Sequence, residues 1–105
     1  MPLFVTKYER RDGTDRDALG RAALTLCRAN RAVDGVRNSR FYWANTDTVA
    51  VLTDAEPGAF GQGSGTPPTA DGAKAFFGMA DLARQVSDET WGEAAAGEEV
   101  YRLSQ

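Results

Sequence analysis

The first strongly patterned segment is residues 2–9. Leu3, Phe4, Val5, Thr6 and Tyr8 are β-branched, aromatic or apolar with no break, which predicts a strand. Strand alternation puts Leu3 and Val5 on one face and Phe4 and Tyr8 on the other. Large groups on both faces imply cover on both sides. Asp12-Gly13-Thr14 then turns the chain, with Thr14 as a helix cap and Asp17 as the acidic half of a capping box. Leu19, Ala22, Ala23, Leu26, Cys27 and Val33 recur at helical spacing, and Arg16, Arg21, Arg28 and Arg31 mark the solvent side. This helix is expected to end near Asn30, before the turn at Asp34-Gly35.

Residues 36–44 (VRNSRFYWA) read as a second strand. Val36, Asn38, Arg40, Tyr42 and Ala44 share one side of it; Arg37, Ser39, Phe41 and Trp43 share the other. Asn45-Thr46-Asp47 is a hairpin turn, and Thr48–Thr53 (TVAVLT) is a third strand. The stretch 54–72 is rich in glycine and proline, a length of loop that is usually functional or mobile. A second helix is expected after Asp71, with Ala73, Phe76, Phe77, Ala80 and Ala83 at helical spacing, running to about Asp88 or Glu89. Trp91 follows it, and Glu99–Ser104 (EVYRLS) reads as a short final strand.

The order is β-α-β-β-α-β, which defines an α+β, ferredoxin-like fold: a four-stranded antiparallel sheet with two helices on one face. The other face then needs a cover. The 105 residues form one domain, 1–105, carrying the loop at 54–72. Of the hydrophobic residues 17 are alanine and only 27 are larger, so the core is thin and a second subunit is an economical way to bury more surface.

Charge sharpens this reading. Residues 1–53 carry nine Lys/Arg and six Asp/Glu, whereas residues 54–105 carry three and nine. This polarity fits two solvated faces of opposite sign, or charge pairing between halves or subunits. A net charge of −3 without a basic cluster argues against nucleic acid as a partner. No apolar run is long enough to span a membrane. The absent histidine removes an ordinary zinc site, Ser-His-Asp and Cys-His catalysis and a histidine haem ligand, so neither a metal nor another cofactor is expected. The single cysteine excludes an internal disulfide and, with no export signal in view, suggests the cytoplasm.

The segment FYWANTDTVAVLT followed by the Phe-rich AKAFFGMADLA, in a chain of this length and element order, resembles the dimeric α+β barrel superfamily. The resemblance implies two subunits pairing their sheets face to face, with a pocket between sheet and helices in each. It also implies chemistry drawn from a group that includes cofactor-independent monooxygenases, haem-degrading enzymes, isomerases and cyclases. The haem-degrading members and several isomerases rely on a histidine that this chain lacks.

Candidate pocket residues are Asn38, Arg40 and Tyr42 on the second strand, Tyr8 on the first, Trp91, and Tyr101 near the end of the chain. If their faces converge, an arginine would hold an anion, phenols would donate protons and an indole would stack on a flat ligand. The competing reading is a solvated or dimer-interface face with Arg40 in a salt bridge. Phe60 is a lid candidate. Cys27, on the apolar stripe, reads as a buried, inert thiol. No catalytic residue is assigned. The expected function is a small-molecule enzyme, a cofactor-independent monooxygenase or cyclase/isomerase acting on an apolar or aromatic substrate. The alternative is a homodimeric ligand-binding or assembly module without catalysis.

Overall fold

A computed structural model describes residues 2–60 and 69–92. Six elements follow in order: β1 (Leu3–Arg10), α1 (Arg16–Arg31), β2 (Val36–Trp43), β3 (Thr48–Ala55), α2 (Ala70–Leu82) and β4 (Ala83–Trp91). The strands form one antiparallel sheet in the order β2-β3-β1-β4. This is the expected ferredoxin-like arrangement, and both helices pack on the same face.

The end of α2 departs from expectation. The helix stops at Leu82, and Ala83 is already extended at φ −148° and ψ 156° while its N–H still bonds the Met79 carbonyl. The fourth strand therefore begins with no intervening loop, on residues that the apolar spacing of Ala83 and Val86 had assigned to helix. Trp91 closes this strand instead of following a helix end. The strand expected at Glu99–Ser104 lies outside the described residues.

The caps also shift. Asp15, not Thr14, caps α1, its carboxylate accepting from the Asp17 N–H at 3.3 Å. Thr69, not Asp71, caps α2, its hydroxyl accepting from the Gly72 N–H at 2.9 Å. In both cases the residue that caps is extended; Thr14 lies one residue before the α1 cap, and Asp71 already lies inside α2. Gly13 turns the chain into α1 with φ +80°, a conformation that needs glycine.

The core lies between sheet and helices. Leu19, Ala23, Leu26 and Cys27 from α1 and Ala75 and Met79 from α2 pack on Tyr8, Val49, Val51 and Ala83. Each of the larger buried side chains contributes about 1.5–3 kcal/mol through removal from water. A smaller cluster of Val33, Ala55 and Phe60, with Phe4 against it, closes one end. Phe77, expected on the apolar stripe of α2, is instead 64% exposed, because α2 presents Gly72, Ala75 and Met79 to the core.

Candidate functional site

The sheet register sorts the side chains into rows. On the helix-covered face one row runs Trp43, Val49, Tyr8, Gln85 from edge to edge. The next runs Phe41, Val51, Thr6, Asp88, and the third Ser39, Thr53, Phe4, Thr90. On the opposite face the rows are Tyr42, Ala50, Lys7, Ser87; Arg40, Leu52, Val5, Glu89; and Asn38, Asp54, Leu3, Trp91. Each row ends on the polar or exposed edge strand β4.

The candidates therefore divide between two faces. Asn38, Arg40 and Tyr42 share the face turned away from the helices, as strand alternation requires. Trp91 is on that face too, but at the far end of Asn38's row. Three strand spacings, about 14 Å, separate their strands. Tyr8 points the other way, into the helix-side core, at 3% exposure. The faces of β1 and β2 that carry Tyr8 and Arg40 do not converge. Tyr101 lies outside the described residues.

Arg40 already has partners. Its Nη1 donates to Asp54 Oδ2 at 3.1 Å, and hydrogen bonding to Tyr42 first, then to Asp54, holds the guanidinium above its ordinary value. Phe60 is also seated. It is buried, meets Phe4 edge-on with ring centroids 5.7 Å apart, and packs with Val33 and Ala55. Trp43 is half-buried on the helix side, with the Arg16 guanidinium 3.8 Å from its ring centroid.

Around Tyr8 the surroundings are chemically distinct. Burial pushes its phenol well above the ordinary range, and the charges of Asp88 and then Cys27 push it in the same direction. The group is thus a neutral O–H at any physiological pH. Two residues before Tyr8, on the same face, the Thr6 hydroxyl donates to Asp88 Oδ1 at 3.3 Å. Asp88 itself is exposed, so this corner joins a buried phenol to a solvent-reachable carboxylate. The sequence places Thr6 on Tyr8's strand face but puts Asp88 at a helix end; only the register of β4 on β1 sets Asp88 opposite Thr6 and near Tyr8.

A second polar group crosses the core. Asn30 Nδ2 donates to Ser39 Oγ at 3.3 Å and to Thr53 Oγ1 at 3.5 Å, and the two hydroxyls bond each other at 2.8 Å. The sequence did hold a signal for this cluster. Asn30 falls three and four residues after Cys27 and Leu26, a polar residue on an apolar stripe. Burial raises the neighbouring Cys27 thiol, and hydrogen bonding to Ser39 opposes part of that rise. Among the described residues no three His, Cys, Asp or Glu side chains cluster to hold a metal, and no helix is long and apolar enough to cross a membrane.

The fold is a four-stranded antiparallel sheet that carries both helices and both buried polar groups on one face. No protein-family model matches the sequence, and no curated protein matches it. Solved structures do share its architecture. Rv0793 from Mycobacterium tuberculosis superposes with a TM-score of 0.68 at 14% identity, over 92% of this chain and 99% of that one. A protein from Nitrosomonas europaea, provisionally assigned as an antibiotic biosynthesis monooxygenase, gives 0.68 at 9% identity over 90% and 100%. One from Chloroflexus aurantiacus with the same provisional assignment gives 0.62 at 11% over 91% and 96%. The chain shares the ferredoxin-like fold of these proteins, and at these identities the likeness is one of fold alone.

Proposed function

We propose that the protein is a small-molecule enzyme of the cofactor-independent monooxygenase or cyclase/isomerase kind, acting on an apolar or aromatic substrate with an acidic O–H or C–H. The observation that carries this reading is the buried, neutral Tyr8 phenol with the Asp88 carboxylate beside it. A substrate held there gives its proton to Asp88, and the resulting enolate or phenolate oxygen accepts a hydrogen bond from the Tyr8 O–H. Thr6, donating to Asp88, orients the carboxylate. Stabilising an anion by a pre-placed donor in a dry site is a large catalytic effect. The anion is then electron-rich enough to react with dissolved dioxygen or to close a ring.

In the same reading the face turned away from the helices pairs with a second copy. It offers half-buried Leu3 and Leu52 and exposed Tyr42, edged by Arg40, Asp54, Lys7 and Glu89, a mixed surface that suits a symmetric interface. Arg40, Asn38 and Tyr42 then serve assembly, and Trp91 lies at the rim. A single buried thiol suits a reducing compartment such as the cytoplasm.

Oxygen uptake and product formation over a panel of phenols and 1,3-diketones test the enzyme reading. Turnover that falls about 100-fold in Tyr8→Phe supports it, the size expected for losing one oxyanion donor. Full activity in that variant contradicts it. One observation favours the alternative, an assembly module without catalysis: Arg40 is already paired with Asp54 instead of reaching for a ligand. That reading gives no turnover with any member of the panel.

A further inference from the structure

Three side chains in the core are polar where the fold asks for apolar ones. Asn30, Ser39 and Thr53 are exposed by 4%, 1% and 3%. They satisfy one another in part, through the Asn30 amide and the two paired hydroxyls. One atom is left over: Asn30 Oδ1, fully buried and without a hydrogen-bond partner. A buried carbonyl oxygen with no donor is destabilising and uncommon in native proteins. Replacing the three by apolar residues of similar shape would remove the cost, so their presence asks for a donor that arrives from outside.

The place of the cluster indicates what kind of molecule brings it. Thr53 pairs with Phe4 across the sheet, and Phe4 meets Phe60 edge-on. On the same strand face Thr53 is followed by Ala55, which packs with Phe60 and Val33. The polar group therefore borders an aromatic, apolar corner. A flat ring with a hydroxyl on its edge matches both halves, the ring against the phenylalanines and the O–H toward the amide oxygen.

Building on the enzyme reading above, we propose that Asn30, Ser39 and Thr53 form a recognition subsite for the hydroxyl of an aromatic ligand. Asn30 Oδ1 accepts the ligand O–H, and the ring lodges against Phe4 and Phe60. Ser39 and Thr53 are positioning residues, fixing the amide through its nitrogen so that the oxygen stays directed at the incoming donor. The subsite selects for phenols and enols over their ethers, because a site with a waiting acceptor discriminates against an analogue that cannot donate.

The test uses the full chain with two probes, 1-naphthol and 1-methoxynaphthalene, in which a methyl group replaces the donor hydrogen. Dissociation constants are measured by titration, with NMR following the side-chain amide of Asn30 and the rings of Phe4 and Phe60. The proposal expects naphthol to bind about tenfold tighter than the ether, the worth of one good hydrogen bond. It expects Asn30→Leu to bring that ratio close to one while the ether still binds. The Asn30 amide should move with naphthol alone and the two rings with both probes. Equal affinities in the unaltered protein, an amide unmoved by naphthol, rings unmoved by either probe, or no binding of either would each overturn it. If Asn30→Leu fails to fold, the ratio and the amide shift in the unaltered protein decide the matter. Naphthol selectivity without turnover of any phenol would leave the subsite standing and remove the enzyme reading; turnover with a ratio of one would do the reverse.

Discussion

The two faces of the sheet are built from the same four strands and obey opposite rules. Toward the helices the rows begin with aromatic or small residues on β2 and pass through valines and Tyr8. Most of these positions on β3 and β1 are buried. Away from the helices, charged and apolar residues alternate without segregating: Arg40 beside Leu52, Lys7 beside Ala50, Asp54 beside Leu3. The contrast is one of environment: a buried phenol on the helix side, a paired arginine on the other.

The sharpest way to test the contrast is to remove bulk from each face in turn. Leu26→Ala, on the helix side at 1% exposure, should cost about 2–5 kcal/mol in a denaturant melt, since it opens a cavity in a packed interior. Tyr42→Ala, at 55% exposure on the other face, should change the stability of the isolated subunit by no more than about 0.5 kcal/mol. Comparable losses from the two would erase the distinction.

Tyr8 supplies the next test, through pH. Its phenol is raised in the folded state, so folding favours the protonated form. The stability tied to that proton is complete below the ordinary tyrosine value near 10. Above it the unfolded chain ionises first, and stability falls by about 1.4 kcal/mol per pH unit until the folded phenol also titrates. Tyr8→Phe should flatten this alkaline slope in melts between pH 9 and 11. An unchanged slope would mean that the phenol reaches water in the folded protein.

Smaller effects belong to the charges. Arg40→Met breaks the pair with Asp54, whose side chains are about one-third exposed, and should cost the subunit less than about 1 kcal/mol in a melt. Arg84→Ala, which frees Glu9 at 2.7 Å on an exposed edge, should move the same melt least of all, within about 0.5 kcal/mol. A larger loss at Arg84 than at Arg40 would invert the expected ranking.

How much of this was legible in the sequence follows the same contrast. The element α1 announces itself by its apolar helical period, and β1, β2 and β3 by runs of β-branched, aromatic or apolar residues bounded by turns. The alternation along β2 correctly separated Asn38, Arg40 and Tyr42 from Phe41 and Trp43. The fourth strand did not announce itself. ARQVSDETW is an edge strand with a single buried residue, Ala83, so it lacks an apolar period, and it joins α2 without a glycine or proline to mark the change. Tyr8 was recognised as a candidate, yet its face could not be tied to that of β2 without the register of β1 on β3. Its partner Asp88 was out of reach for as long as β4 was taken for helix. For the Asn30, Ser39 and Thr53 cluster the sequence marks Asn30 on an apolar stripe, but its partners on β2 and β3 come into view only once three elements are brought together.

The central proposal is that the face turned away from the helices pairs two copies while the helix side works within each. Sedimentation equilibrium of the unaltered chain beside Leu52→Asp tests it most directly, because Leu52 lies at the middle of that face, between Arg40 and Val5. The account expects a mass near twice 11.3 kDa for the unaltered protein and 11.3 kDa for the variant, with the helical circular-dichroism signal kept in both. A monomer from the start, or a dimer that survives a carboxylate at position 52, would contradict it.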